Sequence, residues 1–341
     1  MMLAAHVLVL YNEPTLDPTH PDAEAEYEAV DTANRVAETL SAAGHRVTAL
    51  GISDDPLPLL QALRDNRPDL VFNLYEGVAR DGQTEAYVAG LLEWLGVPYT
   101  GCPFRALVLA WNKPQAKLFL LGAGLPTPRF FAVERLPVPT RHGLTWPLIV
   151  KPATQDASVG VDQGSVVTNQ PALRRRVQLL LERYGPPVLV EEYVAGREFN
   201  VSVIEDPELR VLPVSEIVFE NTGPDFWPIV TYDGKWRPAS RDYLATPPQC
   251  PADVSPALEE QLRTLAVKAF RLFGCRDYAR VDLRVNRRDE PYILEVNPNP
   301  DFHPGAGLTR ALTAAGLSHE SFTLDLVRHA LARATQEQLA G

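Results

Sequence analysis

The chain has 341 residues, more than one hydrophobic core usually serves, so two or three packed domains are expected. Hydrophobic residues make up 45% and charged residues 22%, which argues against a disordered chain. The net charge of −11 argues against nucleic acid or an anionic membrane as a partner, because neither attracts an acidic surface. The three cysteines (Cys102, Cys250 and Cys275) are widely spaced and offer neither a disulfide framework nor a zinc pattern, so a cytoplasmic location is expected. The N-terminal run reads as a strand rather than a signal peptide, and no stretch approaches the roughly 20 apolar residues of a membrane helix.

Strand and helix alternate through the first hundred residues. Apolar runs predict strands at His6–Tyr11, Arg46–Gly51 and Asp69–Leu74, and periodicity predicts helices at Ala23–Ala43, Leu57–Asn66 and Gln83–Leu95. That order argues for a parallel α/β domain, in which ligands sit beyond the carboxyl ends of the strands. Asn12, Glu13, Tyr75 and Glu76 fall there. One helix, kinked near Pro114, is expected over Phe104–Gly122. After the proline-bearing linker Leu125–Arg129 come strands at Phe130–Val133, Leu148–Lys151 and Gly164–Val167, a helix at Leu173–Tyr184, and strands at Val188–Tyr193 and Glu198–Ile204. Glu216–Arg241 reads as a long aromatic loop. A helix at Ser255–Leu272 precedes strands Tyr278–Asn286 and Tyr292–Val296, joined by the turn Arg287–Glu290, and Ser321–Leu339 closes the chain as a helix. The expected division is 1–104, 105–186 and 187–341.

The strongest chemical signal lies in those last two strands. Period-two alternation places Arg280, Asp282 and Arg284 on one face, and Glu295 and Asn297 on one face of the next strand. If the strands pair through the turn, Asp282, Glu295 and Asn297 converge, and two carboxylates with an amide oxygen are hard ligands suited to Mg2+ on the phosphates of ATP. A solvated hairpin face is the alternative, disfavoured by the compact Pro298-Asn299-Pro300 turn that follows. A second signal is the apolar strand ending at Lys151, where an ammonium can meet a phosphate. After it, Ser158-Val159-Gly160 supplies small residues able to lie over phosphates and donate backbone N–H groups. Asp156, a poor neighbour for phosphate, is expected to point away. A third is the strand end Glu191-Glu192-Tyr193, returning through Gly196-Arg197-Glu198. Its backbone could pair with an adenine edge, with a carboxylate seven residues on for ribose hydroxyls, although such a strand end also reads as plain surface. Gly77 to Thr84 has the glycine spacing of a P-loop but Gln83 where its lysine belongs, so a P-loop NTPase fails.

Taken in order and spacing, Lys113, Lys151-Pro152, Ser158-Val159-Gly160, Glu191 through Glu198, Arg280-Val-Asp282 and Glu295-Val-Asn297 resemble the D-alanine–D-alanine ligase branch of the ATP-grasp superfamily. Val71-Phe72-Asn73-Leu74, Leu95 to Gly101 and Gly122 to Thr127 resemble that branch's N-terminal region, so the likeness covers nearly the whole chain. It implies an ATP-grasp fold, α/β with an α+β C-terminal part, behind a parallel α/β domain. It implies a ligase that joins a small-molecule carboxylate to an amine through an acyl phosphate, with ATP and two Mg2+ ions (or Mn2+ in their place). Lys113, Lys151 and Lys235 would contact phosphates under the Ser158–Gly160 cover. Glu191, Glu192 and the backbone of Val194 would surround adenine, Glu198 the ribose, and Asp282, Glu295 and Asn297 the metal. Arg280, with Lys235 and Ser158, would act on the acyl phosphate and the tetrahedral intermediate. A homodimer is left open.

The departures gather in the amino-acid pocket. Ala157 stands where the family has a second serine, Trp236 where it has a tyrosine, Tyr75-Glu76 where it has a histidine, and Asn299 to Ala306 where it has a Pro-Gly-Met run and a serine. A buried polar contact that loses its partner costs about 1–3 kcal/mol, so several such changes imply retained phosphate chemistry with a different substrate. Glu13, Glu76, Asp301 and His303 are the candidate replacements, and an acidic pocket favours an amino-bearing substrate. The competing reading is an ATP-binding regulatory protein without turnover. Arg280 argues against it, because nucleotide binding alone needs no group aimed at an intermediate.

Overall fold

β1 (His6–Asn12) is buried along its first five residues, as a central strand covered on both faces must be. α1 (Ala23–Ala42), β2 (Arg46–Ile52), α2 (Leu57–Asp65), β3 (Leu70–Leu74) and α3 (Thr84–Trp94) follow, and β2 and β3 flank β1 in parallel. This is the expected parallel α/β unit, seen in a computed structural model that describes residues 4–15, 23–78, 82–206, 208–220 and 223–340. Residues 16–20 of the first loop and 79–81 of the P-loop-like segment lie outside the described residues.

The single helix expected over Phe104–Gly122 is two helices, α4 (Phe104–Trp111) and α5 (Lys113–Gly122). The break has a local cause. Asn112 is extended and its side chain caps α5 by accepting from the Gln115 amide, while Pro114 occupies the first turn, where its missing N–H costs nothing. β4 (Phe130–Val133), β5 (Leu148–Pro152), β6 (Val166–Val167), α6 (Gln170–Tyr184) and β7 (Val188–Glu192) come next. The strands form an antiparallel sheet in the order β4-β7-β5-β6. The strand expected from Gly164 shrinks to two residues because Gln163–Ser165 is a 3₁₀ turn capped by Asp162. Leu173 and Val177 of α6 pack on Leu148, Val150 and Val190 of this sheet, a core drawn only from residues 131–190.

The remaining chain builds β8 (Gly196–Asp206), β9 (Glu208–Val211), β10 (Ser215–Ile217), α7 (Tyr232–Trp236), α8 (Arg241–Leu244), β11 (Pro248–Gln249), α9 (Pro256–Phe273), β12 (Tyr278–Asn286), β13 (Pro291–Asn297), α10 (Gly307–Ala314) and α11 (His319–Ala340). The sheet runs β11-β10-β8-β12-β13 with β9 against β8, antiparallel throughout. α9 covers one face, its Leu262, Ala266 and Phe270 sharing a core with Phe199, Val201 and Val281. On the other side α10 and α11 bring Leu308, Phe322 and Leu326 into one core with Val7, Val9 and Phe72 of the parallel sheet. Buried Asp277 locks that junction: it accepts from the Gly101 amide at 2.7 Å and from Arg333 of α11 at 2.7 Å. The N-terminal sheet and the C-terminal unit are therefore fused, whereas the middle unit has a core of its own.

Candidate active site

β12 and β13 pair as the alternation predicts. Arg280 lies opposite Asn297 and Asp282 opposite Glu295, with a bulge between Asp282 and Leu283 that shifts the register beyond this point. Asp282 accepts from Arg280 Nε and Nη2 at 2.8 and 2.9 Å, from Asn297 Nδ2 at 2.9 Å and from Asn200 Nδ2 of β8 at 2.8 Å. Burial works against the charge on Arg280, but Asp282 more than offsets it and holds the guanidinium protonated. Burial likewise opposes charge on Glu295, yet Lys113, Lys151, Arg280 and Lys235 pull its carboxyl down to about 2.

The phosphate side is built on β5 and α5. Lys113, at the first turn of α5, has its backbone N–H on the Ala153 carbonyl, which fixes the helix start beside the strand end. Its ammonium donates to the Gln155 carbonyl at 2.8 Å and to Asp156 at 2.6 Å, with Glu295 at 3.7 Å. Asp156 therefore points into the site, contrary to expectation, because a buried ammonium requires a countercharge. Burial alone would lower the Lys113 pKa; Asp156 and Glu295 raise it instead. Ala157, Ser158 and Gly160 all have positive φ (53°, 61° and 74°), so the loop turns its backbone amides in a way two of its residues resist. Gly160 stands behind the loop, where a Cβ would come within 2.7 Å of Pro152 and 2.8 Å of Tyr184. Arg176 of α6 braces the loop from below, on Asp162, Ser165 and the Gly160 carbonyl.

A buried trio that the sequence did not reveal links these parts. Glu191 of β7 is 1% exposed and faces Lys151 Nζ at 2.8 Å and Lys117 Nζ at 2.7 Å; the second is a close charge contact without an aligned hydrogen bond. Lys117 also donates to Thr127, which donates to the Ile293 carbonyl of β13. Burial, only partly offset by Glu191, lowers the Lys117 pKa; burial would raise that of Glu191, but the two ammonium groups lower it. Glu198 meets Arg284, 3% exposed, at 3.2 Å, and Arg284 also donates to the Pro228 and Gly196 carbonyls and stacks under Tyr193. Burial raises the Glu198 pKa against that pairing.

The expected loop over Glu216–Arg241 carries a helical turn, α7. It is fastened to the phosphate loop by the Tyr232 amide on the Val161 carbonyl, Trp236 Nε1 on the Ala157 carbonyl, and the Trp227 amide on Gln163. Lys235 Nζ lies 4.9 Å from the centre of the Trp236 ring.

The residues given a role at the nucleotide, the metal or the substrate, except Gly160 and Glu13, line one cavity of about 860 Å³ walled by the middle and C-terminal units and, at Glu28, Thr32, Leu74 and Glu76, by the N-terminal one. Glu13 is exposed at the tip of β1, its amide on the Ile52 carbonyl, and is not brought in. Glu76 and Asp301 face each other's charge at the far end. Glu76 is open at the rim, yet the low-dielectric walls first and Asp301 second push its carboxyl up to about 7, against Lys235. His303 donates its backbone amide to Asp301. Behind them, burial drives the Glu85 carboxyl up to about 8, with Asn299 opposing and Asp156 and Glu76 adding to the rise. A carboxyl raised from 4.5 stabilises the fold fully below that value and loses its contribution as pH rises through about 8. Glu85→Gln is therefore expected to reduce the decline in stability between pH 5 and 8, to which Glu76 also contributes, and to gain about 3 kcal/mol at the upper end once partial solvent access is allowed for. Urea midpoints across that range test this, and parallel curves for the two proteins would refute it.

Fold and site together can be set beside known proteins. Residues 119–328 match the family model described as the D-ala D-ala ligase C-terminus. A D-alanine–D-alanine ligase of Desulforudis audaxviator is 34% identical over 308 residues, 89% of this chain and 92% of that one. The chain belongs to the D-alanine–D-alanine ligase family. It is thus an ATP-dependent, ligase-like enzyme of the C–N bond-forming kind, in a family that implies a divalent metal. A D-alanine–D-alanine ligase of Rhizobium meliloti is 33% identical over 299 residues, covering 86% of this chain and 90% of that one. The crystal structure of the Bacillus anthracis ligase complexed with ATP superposes with a TM-score of 0.76 at 20% identity, over 98% of this chain and all of that one, which bears out the ATP-grasp fold. Among the described residues of this family member no helix is long and apolar enough to cross a membrane, and no group of three or more His, Cys, Asp or Glu side chains could hold a metal.

Proposed function

We propose that the protein activates a small carboxylate with ATP and joins it to an amine, with a substrate pair other than two D-alanines. The observation that carries this reading is the convergence of Lys113, Lys151, Lys235 and Arg280 on Asp282 and Glu295 within one cavity. A carboxylate oxygen attacks the γ-phosphorus, the bond to ADP breaks, and an acyl phosphate forms. The amine then attacks the acyl carbon, phosphate leaves, and the amine gives up a proton. Lys113, Lys151 and Lys235 offset the phosphate charge under the Ser158–Gly160 loop. Arg280, oriented by Asp282, meets the charge that develops on the acyl oxygen and leaving phosphate. Backbone around Glu192 and Val194 borders the base, Glu198 the ribose, and Glu191 holds Lys151 in place.

Two hard carboxylates and the Asn297 amide oxygen on adjacent strands, one of them held ionised far below the usual range, form a donor set that fits Mg2+. When bound, the metal (two ions in this reading, Mg2+ or Mn2+) neutralises phosphate charge. The three-unit division, 1–104, 105–186 and 187–341, belongs to the same proposal. So do homodimeric assembly and a cytoplasmic location.

The test is ATP-dependent phosphate release with Mg2+ against D- and L-amino acids, diamines and hydroxy acids. Release with a pair other than two D-alanines is expected. Release with D-alanine alone would overturn the altered-substrate part. ATP binding with no release across the panel would favour a regulatory role.

A further inference from the structure

The cavity continues past Arg280, and its far arm holds a cation that the reaction scheme above does not use. Arg310 of α10 lines this arm with Tyr243, Leu244, Pro247 and Pro248. Its guanidinium donates to the Gly305 carbonyl at 2.7 Å, and its Nε is buried without a partner. No carboxylate lies within ion-pair distance of it among the described residues, although every other cavity-facing arginine has one: Arg280 has Asp282 and Arg284 has Glu198. Burial lowers the Arg310 pKa and Arg280 lowers it further; the guanidinium is half-buried, reached by water and offset by no protein carboxylate among the described residues. Position fixes what could pair with it. Gly307 abuts Arg280, since a Cβ there would lie 3.6 Å from its Cδ. Arg310 is three residues on, which sets it one turn further along the same helix face, roughly 5–6 Å away between Cβ positions. The first turn of α10 adds to the positive field, because Ala306 caps it without a side-chain acceptor. Of the site's cations only Arg280 acts on Arg310, whereas Lys113, Lys151 and Lys235 act on Glu295, and in the ligase reading the carboxylate being activated sits with those lysines. What extends past Arg280 is therefore the amine partner.

Resting on the ligase reading above, we propose that the amine substrate is an acidic amino acid, whose side-chain carboxylate pairs with Arg310 in the arm walled by Tyr243, Leu244 and Pro247. The wall of the arm suits the methylene stem of such a side chain, and the guanidinium fork suits its end. Glu76 and Asp301 line the same cavity and remain for an ammonium group on the carboxylate substrate.

Glutamate and glutamine, and aspartate and asparagine, differ at the one group Arg310 would read. Binding of each, in both enantiomers, is measured calorimetrically with Mg-ADP present. Phosphate release with ATP is measured in parallel. An acid-over-amide preference of at least about tenfold is expected for one enantiomer. It should fall to about one in Arg310→Ala and be partly kept in Arg310→Lys. A residue that only supported α10 would weaken acid and amide alike and leave their ratio unmoved, which would overturn the assignment. So would equal binding of acid and amide by the unaltered protein. Preference in binding with no phosphate release under any condition would uphold Arg310 and overturn the ligase reading. Release with neutral amines alone would do the reverse.

Discussion

Glu191→Gln is expected to destabilise the protein by about 3–5 kcal/mol, the usual consequence of removing one partner from a buried charge group. The carboxylate is 1% exposed between Lys117 and Lys151, and the glutamine amide would leave two ammonium groups facing each other with only the more distant Glu295 to offset them. Lys117, 1% exposed on α5, cannot swing out to water, whereas Lys151, 12% exposed, opens toward the cavity. The double variant Glu191→Gln with Lys117→Met should therefore recover a good part of the loss. Urea unfolding of the three proteins measures this. A single-variant loss below about 1 kcal/mol would mean that solvent already screens the trio.

The second large effect is on rate. Arg280→Lys is expected to lower kcat about 10²–10³-fold, the range for removing one donor aimed at developing charge, while ATP affinity changes by less than about threefold. Lysine keeps the charge but not the two parallel hydrogen bonds by which Asp282 sets the guanidinium plane. Asp282 keeps Asn200 and Asn297 as donors, so the strand pair should fold as before. Unchanged kcat would remove Arg280 from the chemical step. A joint fall in kcat and in ATP affinity would make it a nucleotide-binding group instead.

The parts of this site legible in the sequence share one property: their geometry is set by neighbours along the chain. Period-two alternation sufficed to put Asp282 and Glu295 opposite each other, because a short turn leaves two strands little choice of register. The cation at the end of β5 was visible because an apolar run stops at it. What stayed hidden was set by contacts across the fold. Lys117 lies four residues after Lys113 on α5 and reads as ordinary helix-surface charge; nothing local says that β7 will cover it. Arg176 looks like one of three arginines in a row on α6, and only the loop packed on it shows that it is a brace. Asp156 turns inward for the Lys113 ammonium, 43 residues away in sequence, which no local pattern shows. Pro114 announces a kink, but the clean restart of the helix depends on Asn112, whose side chain caps α5. Short elements such as β10, β11 and α10 offer too few residues for any period to register.

The separate core of the middle unit bears on how a nucleotide gets in and out. Residues 131–190 pack on themselves, whereas the parallel sheet and the C-terminal unit share buried side chains and the Asp277 lock. Opening the cleft by swinging the N-terminal sheet would tear a continuous interior. Swinging the middle sheet leaves every hydrophobic core whole, but besides its two connections, near Pro126–Arg129 and Tyr193–Gly196, it must part the Glu191–Lys117 contact and the Lys113 bonds to Ala153, Gln155 and Asp156. α7 is hydrogen-bonded to the phosphate loop through Ala157 and Val161, so it would travel with that sheet as one jaw. The molecule is in this sense two fused units and a third with its own core, tied to them by charged contacts at the cleft. Bound nucleotide, touching both, would act as the latch that holds them shut.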